Sequence, residues 1–197
     1  MTTSADLAAA LKAERLASYA RLRGGWPIPL AGAIWWTALA VLGTQLHPYY
    51  WSVVAFVSSG LIFPIALLLG RLGGVAFMRD RTAVTGVLLP AFVSMLLFWP
   101  IAIAALWEAN QLTPLVLAVG MSIHWPVIGW SYGRLAPFIA HAIGRAVASF
   151  LVWQLVPDQR FVLVPAVVAA AYFATVAVLF FDSASVRRKL AADPAAT

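Results

Sequence analysis

The stretch MSIHWPVIGWSYGRLAPFIAHAIGRAVASFLVWQLV, Met121 to Val156, decides the fold. It is apolar almost throughout and breaks at Tyr132-Gly133-Arg134. About 20 predominantly apolar residues are needed to cross the hydrocarbon core of a bilayer. The stretch therefore predicts two membrane spans joined by a tight turn. His124 falls on the first span, and His141 and Arg145 fall on the second. No other strongly polar ionisable side chains lie well inside the bilayer on this segmentation.

Working outward, the same pattern recurs along the chain. Apolar runs at 27–46, 50–70, 84–107, 112–131, 135–156 and 161–181 predict six transmembrane helices. A backbone in lipid must satisfy its own hydrogen bonds, and these runs lack the alternation of barrel strands, so an all-α polytopic fold is expected. Composition agrees: 63% of the 197 residues are hydrophobic, 10% are charged, and the mean hydropathy is +0.90. Soluble domains carry about a quarter charged residues. The absence of cysteine excludes disulfides, thiolate metal sites and cysteine nucleophiles.

The net charge of +6 in a soluble protein would suggest nucleic acid. Here the basic residues lie in short loops, so membrane orientation explains them and no nucleic-acid partner is expected. Lys12, Arg15, Arg21, Arg23, Arg71, Arg79, Arg81, Arg134, Arg187, Arg188 and Lys189 share one side, eleven of the thirteen. By the positive-inside rule both termini are then cytoplasmic. Residues 1–25 read as a cytoplasmic amphipathic helix, capped at Ser4 or Asp6, that either lies on the membrane surface or frays in water. Residues 26–183 form the six-helix domain, and 184–197 a basic cytoplasmic tail. The run from Trp26 has no small-x-small cleavage site and is read as a retained span. The expected location is the cell inner (cytoplasmic) membrane.

Tryptophans support the threading. Trp26 and Trp130 fall at inner ends of spans, and Trp51, Trp107 and Trp153 at outer ends, where amphipathic rings settle. Trp35, Trp36, Trp99 and Trp125 lie deeper, and some must turn their N–H groups into the bundle. Span two ends FPIALLLGRL and span four ends WPVIGWSYGRL. Taken as a repeat, these ends give three tandem hairpins; the competing reading is that Pro, Gly and aromatics are common in such helices.

The deep polar residues are the candidate site. His124 lies eight residues before Tyr132 and His141 eight residues after Gly133. At 1.5 Å per residue, both sit about 12 Å from the turn. His141 and Arg145 are spaced i, i+4 and share a helix face. A charge at this depth costs about 2.5–3.5 kcal/mol on insertion scales, so it faces the bundle interior or a wet cavity. Glu108 and Asp182 lie at span ends, leaving Arg145 without an acid. Its candidate partners are carbonyls freed by Pro100 or Pro126, Thr175, Tyr172 or a bound anion. The histidines could relay protons and Arg145 could hold an anionic group. The structural alternative is that all three knit helices together. A haem between His124 and His141 is the least favoured reading, and two histidines alone make a poor zinc site. No cofactor is expected.

Nucleophile-elbow, HExxH, P-loop and dinucleotide motifs are absent, so the expectation is a non-enzymatic protein. The chain resembles the small bacterial inner-membrane proteins with six spans and no assigned function. The likeness rests on its size, on RGGWPIP at Arg23–Pro29 and on HWPVIGWSYGR at His124–Arg134. The first expectation is transport or sensing of a small solute or ion between spans four and five, by a protein acting as an oligomer. The second is a structural or accessory subunit bound to another membrane protein. The expected partners are the lipid bilayer, further copies or another membrane protein, and a small anionic solute.

Overall fold

The computed structural model describes residues 3–76 and 78–192, and these are helical with no strand among them. Six helical segments are long and apolar enough to cross a membrane: Arg23–Leu42, Pro48–Leu72, Thr85–Glu108, Asn110–Ser131, Leu135–Leu155 and Pro157–Ala192. All six predicted spans have a matching helical segment, with bounds shifted by a few residues except that the last runs eleven residues further, to Ala192. The last helix runs on through Arg187, Arg188 and Lys189, so the described part of the expected tail continues the sixth span.

Helix α1 (Ser4–Arg21) is capped by Thr3, one residue before Ser4 and three before Asp6, the two predicted caps. The Thr3 hydroxyl accepts from the Asp6 N–H at 3.2 Å, and the Asp6 carboxylate accepts from the Thr3 N–H at 2.9 Å. This reciprocal box satisfies two donors that a helix start leaves open. The Thr3 hydroxyl and N–H both donate to Asp6 and hold its carboxyl below the usual range.

The far end of α1 is docked against the rest of the chain. Tyr19 is fully buried, and its hydroxyl donates to Asp182 at 2.8 Å. Asp182 also accepts from Arg134 Nε at 2.9 Å and pairs with Arg134 Nη2. Asp80 takes the Ser18 hydroxyl on one oxygen and Arg21 Nε on the other. Glu14 accepts from the Ala83 N–H, and Arg15 donates to the Trp130 carbonyl while lying over that indole ring. The loop holding Asp80 and Ala83, the end of α8 and the body of α10 are thus tied to one helix by charge-assisted bonds, the stronger kind. Burial first, and then the bond to Asp182, push the Tyr19 hydroxyl's pKa well above its ordinary value.

Arg23, Gly24 and Gly25 carry the chain from α1 into α2 (Pro27–Leu42) with φ of 50°, 73° and 68°. Glycine enters this left-handed region without the Cβ penalty. The turn is also tight: a Cβ on Gly24 would stand 3.1 Å from the Leu179 carbonyl oxygen.

The second span is α3 (Pro48–Ser58) and α4 (Ile62–Leu72), separated by a 3-10 turn at Ser59–Leu61. The third is α5 (Leu88–Leu96) and α6 (Trp99–Glu108), and the fourth is α7 (Thr113–Gly120) and α8 (Trp125–Ser131). Each interruption falls in the turn or so before Pro64, Pro100 or Pro126. Proline lacks the N–H that would reach back four residues, and its ring clashes with that carbonyl. The fifth and sixth spans, α9 (Leu135–Leu155) and α10 (Arg160–Ala192), are unbroken, although Pro165 lies inside α10.

Helix α10 packs along α2 and also against α9, α7 and α1. Small residues allow close approach where no hydrophobic drive separates helix from lipid. Gly32 of α2 is one such place: a Cβ there would lie 2.9 Å from the Tyr172 ring of α10. The second and third spans bury the least of their surface.

One tryptophan departs from the expected belt. Trp51 is fully buried and donates through Nε1 to the Leu39 carbonyl at 2.7 Å. A buried indole N–H needs an acceptor, and the Leu39 carbonyl near the end of α2 takes it alongside the Gly43 N–H. Trp35 turns inward as the deeper group requires, donating to Ser58 at 2.9 Å.

Candidate functional site

Helix α9 presents His141, Arg145 and Ser149 at successive intervals of four, a slowly slanting stripe along one face. All three are buried, and Arg145 is 1% exposed. Helix α10 supplies Tyr172 and Thr175 opposite, and α8 supplies Trp125 at its first position. The His141 ring lies 4.3 Å from the Trp125 ring and 4.7 Å from the Tyr172 ring. The Arg145 guanidinium carbon stands 5.1 Å from the Tyr172 ring centroid. A guanidinium over an aromatic face gains electrostatically, by about 2 kcal/mol when desolvated.

The polar partners are sorted by proton count. Thr175 Oγ1 donates to the Ala171 carbonyl at 2.8 Å and lies 2.7 Å from His141 Nδ1. A hydroxyl carries one proton. With that proton on Ala171, the imidazole must donate through Nδ1, and Nε2 keeps a lone pair. Thr175 thus partners His141, and Tyr172 offers Arg145 its ring face.

Five polar atoms on the α9 stripe are buried with no hydrogen-bond partner among the described residues. They are His141 Nε2, Arg145 Nε, Nη1 and Nη2, and Ser149 Oγ. Trp125 Nε1 is in the same condition. Each buried unpaired group costs about 1–3 kcal/mol, more when charged. No carboxylate pairs with Arg145 among the described residues, and Asp182 is engaged by Arg134 and Tyr19. The stripe therefore offers donors from Arg145 and Trp125 and an acceptor at His141.

His124 caps α8 at the break in the fourth span, rather than sitting within a continuous helix. Its ring is 6.1 Å from Trp125 and 5.2 Å from Phe92 of α5, and its Nδ1 is buried without a partner. The Trp125 ring is thus a neighbour of both histidines. His141 and Arg145 come together around Tyr172. His47 caps α3, its Nδ1 accepting from the Tyr49 N–H. Ser149 and Trp125 were not singled out as site residues from sequence. The i+4 step from Arg145 pointed to Ser149, but serine is common in helix contacts. Three or more His, Cys, Asp or Glu grouped as metal ligands do not occur among the described residues.

Six spanning helices around a buried guanidinium are the build of a multi-pass helical membrane protein. The chain belongs to DUF7010, a family of unknown function, whose model matches residues 11–182. That match takes in most of the docked α1 and ends on Asp182. No curated protein and no solved structure matches the chain.

Proposed function

We propose that this protein binds a small oxyanion at Arg145 within the membrane and carries or senses it, without catalysing a reaction. The observation behind this reading is the buried guanidinium whose three nitrogens lack partners, one turn from a histidine whose Nε2 also lacks one. An oxyanion bearing a hydroxyl, such as bicarbonate or dihydrogen phosphate, complements both. Its oxygens accept from Arg145 and its hydroxyl donates to His141. An anion that keeps its proton on that hydroxyl would carry the two together, linking anion and proton movement. His124, beside Trp125, extends the path toward the third span. The protein sits in the cytoplasmic membrane with both termini inside, and works as an oligomer because six spans leave little other surface.

The cation–π contact with Tyr172 favours a second reading, in which Arg145 fastens α9 to α10 in an accessory subunit. Thermal unfolding of purified protein titrated with bicarbonate, phosphate and acetate separates the two. Binding to the folded state stabilises by about 2.7 kcal/mol at one hundred times the dissociation constant. The binding reading expects that rise in wild type and its loss in Arg145→Gln with an unchanged elution profile. A wild type indifferent to every anion, together with a less stable Arg145→Met, supports the fastening role and defeats the binding one.

A further inference from the structure

At the arginine-rich end of the second span, α4 and the loop after it enclose a groove of about 420 Å³. Leu67, Gly70, Val75 and Met78 give it an apolar floor, and Arg71 and Arg79 stand at its walls. Its size is that of a small-molecule site. The Trp26 ring lies against Gly73, so the groove shares a level with an indole at the head of the first span. Tryptophan marks the boundary between hydrocarbon and headgroup.

The charges around the groove are one-sided. Neither Arg71 nor Arg79 pairs with a carboxylate among the described residues. Asp80, the acid next to Arg79, spends one oxygen on Ser18 and the other on Arg21. Arg23 adds a third guanidinium beside the rim, donating from Nη1 to the Gly73 carbonyl at 3.2 Å. Leu68 and Leu72 of α4 are exposed alongside and continue apolar surface from the groove.

We infer that this groove binds a phosphate ester, supplied by an anionic phospholipid whose headgroup pairs with Arg71 and Arg79. Its acyl chain runs from there past Leu68 along α4, toward the middle of the span. Basic pockets between spans select anionic headgroups because the guanidinium fork matches phosphate oxygens, while the apolar floor takes the glycerol and first methylenes. The assignment is independent of any ligand at Arg145.

Native mass spectrometry of the full chain in detergent tests it, with phosphatidylglycerol, phosphatidylcholine and inorganic phosphate added separately. Retention of phosphatidylglycerol in preference to phosphatidylcholine is expected. The Arg71→Gln/Arg79→Gln pair should weaken it by about thirtyfold, the weight of two basic side chains at an anionic surface. Arg187→Gln/Arg188→Gln, exposed on the last helix, should leave it unchanged, as should Arg145→Gln. If inorganic phosphate competes with the lipid at this pair of arginines, the phosphate chemistry stands and the source widens to soluble esters. Equal retention of the two lipids overturns the inference, as does an equal loss in the Arg187/Arg188 variant, which would mean unselective charge attraction. Both variants alter exposed side chains, and a folded elution profile confirms that the comparison is sound.

Discussion

Replacing Asp182 by asparagine keeps the side chain's shape and removes its charge. Asp182 accepts from the buried Tyr19 hydroxyl and twice from Arg134. Bonds to a charged group contribute about 1.5–3 kcal/mol each when buried, but here 37% of the Arg134 side chain and 21% of the Asp182 side chain are exposed. Water can replace part of the pair, so about 1 kcal/mol is retained for it. Tyr19 keeps an acceptor in asparagine but loses the charge assistance, about another 1 kcal/mol. The Arg134 pair joins α9 to α10, so only the Tyr19 loss of about 1 kcal/mol bears on the docking equilibrium of α1, a shift of about fivefold. Lys12, Arg15 and Arg21 lie on that helix, so trypsin reads the equilibrium directly when opening is fast relative to cleavage. The Asp182→Asn protein should be cut in α1 about five times faster than wild type, with the spans intact. Tyr19→Phe in that background should add less than it does alone, because the two residues share one interaction. A cleavage rate within twofold of wild type would show that Asp80 and Glu14 hold the helix by themselves, and the clamp at Asp182 would be refuted.

Other consequences follow from the same geometry. Tyr19 is held un-ionised above its ordinary pKa of 10.0 by burial and by Asp182, so its contribution is complete below pH 10 and fades above it. Tryptic sensitivity of α1 should stay flat from pH 7 to about 9 and rise beyond, and Tyr19→Phe should reduce that alkaline rise. Gly24→Ala places a Cβ at positive φ against Leu179 and should cost about 1–2 kcal/mol, read as a lower unfolding midpoint in mixed micelles. Thr175→Val leaves His141 Nδ1 without its acceptor and should destabilise by about 1–3 kcal/mol; Thr175→Ser should restore most of that.

Number and course of the spans were legible because length and apolarity are local properties of the chain. The breaks were half legible. Pro64, Pro100 and Pro126 marked them, yet Pro165 leaves α10 whole, and sequence does not distinguish a bent helix from a broken one. At the site, the i, i+4 pairing of His141 and Arg145 came from spacing alone. Which residue of α10 meets which was not legible, since it depends on the rotation of that helix. Thr175 and Tyr172 were both candidate partners of Arg145. The former serves His141, and the latter gives its ring. Docking of α1 escaped the sequence for a related reason. Its weakly amphipathic surface offers no strong apolar stripe, and its anchors lie in Asp80, Ala83, Trp130 and Asp182, far along the chain. Trp51 looked interfacial by position and is buried because Leu39 of the neighbouring span offers its carbonyl.

The central claim is that Arg145 is unpaired within the protein because its partner is an anion. An experimental density map of the purified protein soaked with bicarbonate or phosphate tests this most directly. The account predicts anion-shaped density within hydrogen-bond distance of the Arg145 nitrogens, with one oxygen turned to His141 Nε2. A guanidinium bonded to backbone carbonyls of α7, α9 or α10, with no anion beside it, would contradict the account.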